Sequence, residues 1–119
     1  MRTTTDYLKH VVEAADKVAE YIDGYDFDSF SEDSKTQDAV IRQIEIVGEA
    51  GKNVLDSSSI FEQEHPDIAR DFQAARGMRN ILAHGYFSVD SQVVWNTATV
   101  SIPKLQSAVR ELMSNEDSW

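Results

Sequence analysis

The 119-residue sequence contains no cysteine. Disulfides, thiolate metal sites and thiol nucleophiles are therefore excluded. Glycine occurs five times and proline twice, so few positions break a helix or demand a turn. Such scarcity favours long helices over strands joined by tight turns. No apolar run approaches the roughly 20 residues that span a bilayer. The polar N-terminus shows no secretory leader, so a cytoplasmic location is expected. Basic residues are scarce as well. Lysine and arginine total 11 against 21 aspartates and glutamates, a formal net charge of −10. Proteins that coat nucleic acid carry the opposite excess, because neutralising phosphates releases counterions. A local cationic site is still allowed, since Arg70, Arg76 and Arg79 fall close together in an otherwise acidic chain.

What the chain does have is helical periodicity. Hydrophobic residues make up 41% and charged residues 27%, ordinary for a globular protein. The length suits one domain over residues 1–119 with its own core. From Thr5 to Ile22, apolar residues recur at Leu8, Val11, Ala15, Val18 and Ile22, one buried stripe of an amphipathic helix. Threonines and Asp6 suit its start, and Gly24 suits its stop. Tyr25 to Ser34 reads as a loop that Tyr25, Phe27 and Phe30 anchor to the body. Ser34-x-x-Gln37 resembles a capping box opening a second helix, whose apolar face runs through Val40, Ile44, Val47 and Val54. Gly48 and Gly51 weaken its interior by about 1 kcal/mol each relative to alanine. A neighbouring helix backbone passing close to them accounts for that cost.

A serine-rich linker from Asp56 leads to Pro66, with room for one helical turn at Ser59-x-x-Glu62. Pro66 fits the first position of a third helix, where its missing N–H is not needed. That helix is expected to reach Ala83 and to stop at Gly85. A fourth pattern begins near Asp90 and runs through Val94, Leu105, Val109 and Leu112, with Pro103 kinking or breaking it. The fold class expected is all-α: an antiparallel up-and-down four-helix bundle with a Pro-kinked or broken last helix.

The densest chemistry lies between Arg76 and Phe87. At about 100° per residue, with Arg76 at zero, Arg79 falls near −60°, Asn80 near +40° and His84 near +80°. Ala74, Ala75, Met78, Ile81 and Leu82 fall on the other side, which the pattern assigns to the core. Arg79 and His84 are five apart, beyond the spacing of three or four that shares a face. Gly85 relieves that mismatch by ending the helix and freeing the imidazole. His84 then sits at the negative end of the helix dipole, which favours its protonated form. A titrating imidazole beside a fixed guanidinium can move protons at a ribose hydroxyl while phosphate charge is stabilised, and it needs no metal. A bland reading stands beside this one. A histidine before a helix-ending glycine often only caps carbonyls, and surface arginines often only pair with acids such as Glu62 or Asp71.

Arg79-x4-His84-x-Tyr86, with Gly77-Met78 before it and Phe87 after it, resembles the signature of the HEPN superfamily, most closely its HepT-like toxin subfamily. Asp38-Ala39-Val40-Ile41-Arg42, Ile46-Val47-Gly48-Glu49-Ala50, His65-Pro66, Val94-Trp95 and Ile102-Pro103 match the same pattern. The likeness runs from the first helix to Leu112. One departure is Ile68-Ala69-Arg70, where many relatives carry an aromatic residue shortly after the His-Pro pair.

The resemblance implies an all-helical homodimer with metal-independent ribonuclease activity and no cofactor. It implies a nucleotidyltransferase antitoxin of the MntA type as partner and RNA as substrate. Arg79 and His84 become the catalytic pair, with Asn80 and Arg76 supporting RNA binding. Tyr86 becomes the residue that the antitoxin modifies with AMP. Phosphates placed two residues from His84 would repel RNA and fill the cleft. The competing expectation is a non-catalytic helical module that docks the nucleotidyltransferase and cleaves nothing.

Overall fold

A computed structural model describes residues 2–84 and 90–115, and the backbone alone between 79 and 84. Among the described residues every regular element is helical. The elements are α1 (Thr4–Ile22), α2 (Phe27–Ser31), α3 (Ser34–Ser57), α4 (Phe61–Glu64), α5 (Pro66–His84), α6 (Ser91–Asn96) and α7 (Ile102–Asn115). A π-helical turn, Thr97–Ser101, joins the last two.

Local side-chain chemistry sets most helix starts. Thr3 Oγ1 accepts from the Asp6 N–H at 3.2 Å, and the Asp6 carboxylate accepts from the Thr3 N–H at 2.9 Å. Gly24, at φ +81°, supplies the left-handed residue just past α1. The segment expected as a loop contains α2. Asp26 and Ser29 cap it reciprocally, an aspartate–serine variant that a search for Ser/Thr followed by Glu/Gln passes over. Phe30 is fully buried, with its ring centroid 5.1 Å from that of Trp95, so it does anchor the segment. The cap of α3 is Asp33 rather than Ser34: Asp33 Oδ1 accepts from the Thr36 N–H at 3.0 Å. Gln37, expected to close a capping box, instead donates to the Phe30 carbonyl at 2.8 Å.

These capping carboxylates carry a pH signature. The Tyr25 hydroxyl, 2.6 Å away, and the Thr36 N–H hold Asp33 below the usual carboxylate range. The Ser29 N–H does the same for Asp26, and the Thr3 N–H for Asp6. A depressed folded-state pKa stabilises the fold above the unfolded value and is lost as pH falls through the folded one. Stability is therefore expected to hold flat from neutrality to about pH 5 and to decline below about pH 4. Urea midpoints measured between pH 3 and 7 check this, and Asp33→Asn should flatten the decline.

The core forms where the amphipathic faces meet. Leu8, Val11 and Val18 of α1 are buried against Val40, Val47 and Val54 of α3. Thr4 Oγ1 lies 2.7 Å from Ser57 Oγ, so the start of α1 meets the end of α3. On α7, Gln106 Nε2 donates to the Val12 carbonyl and, at 2.6 Å, to Asp16, which also accepts from Arg110 at 2.8 Å. The arrangement is compatible with a helical bundle.

Pro103 does not break the last helix. Its ring would clash with the Thr99 carbonyl in a regular helix, and it has no N–H to offer. The chain widens into the π turn immediately before it, and α7 then continues to Asn115. The linker turn lies at Phe61–Glu64, slightly after the expected site, because Phe61 is fully buried and stacks on Phe72 at 6.0 Å. Among the described residues no helix is long and apolar enough to cross a membrane.

Candidate active site

Helix α5 carries the candidate residues, and α3 sets its position. A Cβ added to Gly51 would sit 2.7 Å from the Phe72 ring. One added to Gly48 would sit 3.0 Å from the Ala75 carbonyl oxygen and 3.2 Å from the Arg76 Cα. Both glycines are therefore required by a close helix approach, as their mid-helix placement implied. Going back along α3 from 51 to 48 goes forward along α5 from 72 to 76. One further turn of this register sets positions 44 and 45 opposite position 79.

The buried stripe of α5 is not the one expected. Ala69 and Phe72 are buried and Ala75 packs against the core, whereas Ala74, assigned to the core, is exposed. The stripe 69, 72, 75 continues with a step of four to position 79, so that position follows the α3-facing side rather than the outer one. Positions 80 and 84 fall about 100° and 140° further round, toward the outer side. Apolar residues are spread around the α5 circumference, so periodicity alone does not select a face; the α3 glycines do.

Arg76 is exposed and, among the described residues, pairs with neither Glu62 nor Asp71. Gln73 instead donates to Glu62 at 3.3 Å, leaving the Arg76 guanidinium available to a phosphate. Arg70 pairs with Asp67 at 3.5 Å and stands about 120° from Arg76 around the helix, so it leaves the proposed strip. Arg79, Asn80 and His84 lie on the α5 backbone, with His84 its last residue, and their side chains lie outside the description. Tyr86, the expected AMP acceptor, and Gly85, the expected helix stop, lie outside the described residues.

Sequence reasoning passed over two features beside these turns. Glu45 of α3, its side chain 28% exposed, stands in the turn opposite position 79, with Arg42 3.9 Å away. Arg42 shares a groove of about 270 Å³ with Arg2, His10, Glu45 and Glu49, a mixed-charge cluster that brings the start of the chain and α1 to α3. Periodicity within one helix carries no signal for such a cluster.

The sequence resembles known ribonucleases over nearly its whole length. The profile of the family described as "Ribonuclease HepT-like" matches residues 11–112. A Thermococcus cleftensis protein named "Probable ribonuclease HepT" is 39% identical over 93% of this chain and 96% of its own length. A Caldanaerobacter subterraneus subsp. tengcongensis protein named as a candidate RNase is 32% identical, covering 98% of this chain and 99% of its own. A Methanocaldococcus jannaschii protein named likewise is 30% identical over 91% and 94%. No solved structure matches the chain. The chain belongs to the ribonuclease HepT-like family.

Proposed function

We propose that this protein is the toxin of a toxin–antitoxin pair, a metal-independent endoribonuclease working as a homodimer in the cytoplasm. Residues 1–119 form one domain, an antiparallel up-and-down four-helix bundle. Family membership over residues 11–112 carries the reading, because that match includes the whole of α5 and the Arg79-x4-His84-x-Tyr86 string.

The chemistry follows from the residue types. The 2′-hydroxyl of the ribose attacks the adjacent phosphorus, and His84 accepts its proton. The P–O bond to the 5′-oxygen breaks, and that oxygen leaves as a hydroxyl after protonation. The products are a 2′,3′-cyclic phosphate and a 5′-hydroxyl end. Arg79 offers a planar fork of donors to the phosphoryl oxygens as charge develops on them. Asn80 and the exposed Arg76 hold the flanking strand. AMP transferred by a nucleotidyltransferase antitoxin to Tyr86 adds phosphate charge two residues from His84 and repels the substrate.

The test is a cleavage assay with purified protein on single-stranded RNA in EDTA. Cyclic-phosphate ends are expected, and AMP-sized mass increments on Tyr86 should abolish them. Intact RNA with unmodified protein under all conditions would favour the non-catalytic module that docks a nucleotidyltransferase.

A further inference from the structure

We propose that Gly77 opens a notch on the outer face of α5 where the ribose of a nucleotide flanking the cleaved bond docks, its 2′-hydroxyl donating to a helix carbonyl. The inference rests on the nuclease reading above and adds to it a residue that tells RNA from DNA.

Backbone conformation gives glycine no reason to stand here. Among the described residues only Gly24 is a glycine with positive φ, so position 77 has a backbone that any residue adopts. Packing within the chain gives no reason either. A Cβ on Gly48 or Gly51 would run into α5, whereas one on Gly77 would meet nothing within 4 Å. Gly77 is exposed in the interior of a 19-residue helix, where alanine is the more favourable residue. The space it leaves faces outward and is room for a ligand.

The neighbours of that space fit a nucleotide. Positions 73, 77, 80 and 84 follow one another at helical spacings of four, three and four, so Gly77 stands in line with the catalytic end of α5. It lies about 10 Å along the axis from position 84, far enough for a flanking nucleotide rather than the reacting one. Arg76, beside it, is exposed and has no ion-pair partner among the described residues. The Arg76 Cα would lie 3.2 Å from a Cβ added to Gly48, so this turn is pinned against α3 and its cation starts from a fixed point.

Chemistry sorts the parts of that nucleotide. A helical side chain leans toward the helix N-terminus and covers the turn before its own Cα. With none at 77, the carbonyls of Gln73 and Ala74 are uncovered, and each keeps a second lone pair beyond its helix bond. Glu62, which accepts from the Gln73 amide at 3.3 Å, adds a further acceptor at this end. A patch of acceptors repels phosphate and takes a hydroxyl donor, whereas the Arg76 guanidinium takes phosphate. A ribose with its 2′-hydroxyl toward the carbonyls and its phosphate toward Arg76 satisfies both. A deoxyribose has no hydroxyl to offer there.

Gly77→Ala and Gly77→Leu test the assignment, because both replacements favour helix more than glycine does. Each variant is expected to unfold at a higher urea concentration than the parent while binding RNA less well. A purely structural role for the glycine would not move stability and binding in opposite directions. Gly77→Leu should raise KM for single-stranded RNA about tenfold with kcat little changed, the upper range for a lost hydrogen bond. Fluorescence anisotropy with the His84→Ala protein, which leaves the strand intact, reads affinity directly. That protein should prefer RNA to DNA of the same sequence, and adding Gly77→Leu should remove most of the preference. A single 2′-deoxynucleotide walked along the RNA should weaken binding about two- to tenfold at one flanking position, and not in the leucine variant. An unchanged KM and an unchanged preference in Gly77→Leu overturn the notch and leave the nuclease reading standing. A parent that cleaves nothing yet loses its RNA preference with Gly77→Leu does the reverse. Dissociation of the protein's oligomer by Gly77→Leu in sedimentation equilibrium assigns the space to a protein neighbour and overturns the notch as well.

Discussion

RNA cleavage by the His84→Ala protein is expected to fall by about 10²–10⁴-fold, the usual contribution of a positioned general base. The expectation follows from what alanine removes. Without an acceptor near the 2′-hydroxyl, the nucleophile must shed its proton to water as the P–O bond forms. Arg79→Ala should produce a loss of similar size, because phosphoryl charge then develops without its donor fork. Arg79→Lys should rescue little, since an ammonium offers a point charge in place of a planar pair of N–H groups. The double variant should be scarcely worse than either single one, as expected for residues that act as a unit. Single-turnover rates with saturating RNA read these effects on chemistry, and unfolding midpoints confirm that the variants remain folded. Undiminished cleavage in both single variants would sink the assignment of this pair.

Replacing Phe72 by alanine is expected to lower stability by about 3–5 kcal/mol, the range for large aromatic truncations in cores. Phe72 is fully buried, stacks on Phe61 and fills the space over Gly51. Its removal costs both the transfer of the ring from water and the cavity left between α3 and α5. The reverse change makes the same point. Gly51→Val would place atoms where the ring stands, and Phe72 has no free end to move aside, because its Cβ is itself 2.8 Å from the added carbon. Urea unfolding at neutral pH measures both variants. Since α5 carries positions 79 to 84, cleavage should fall with folded fraction in Phe72→Ala and recover under stabilising salt. His84→Ala should show no such recovery.

The helices themselves were legible because their signals are local. The stripe in α1, the cap of Thr3 with Asp6, the left-handed Gly24 and the start of α5 at Pro66 each depend on residues within a turn or two. The local signals that escaped were weaker variants of the same chemistry. An aspartate–serine box opens α2, and Asp33 caps α3 one residue before the serine that looked suited to the role. Pro103 was read as a kink or a break, and the chain instead passes it by way of a π turn. A helix can pass a proline by widening, and sequence does not indicate which solution the packing favours.

The amino-acid order by itself determined the fold class, the absence of thiol chemistry and the string from Arg76 to Tyr86 that carries the family likeness. Tertiary structure alone decided which way α5 faces. Apolar residues surround that helix, so its own periodicity does not separate inside from outside. Contact with α3 does, because Gly48 and Gly51 permit an approach that a side chain would block. That approach turns Ala74 outward and leaves Arg76 exposed, without an ion-pair partner among the described residues. It also gathers Asp71, Lys104 and Val100, distant in sequence, onto one face. Periodicity along a single helix reports that helix's own pattern, whereas the partner of each face is a property of the packed chain.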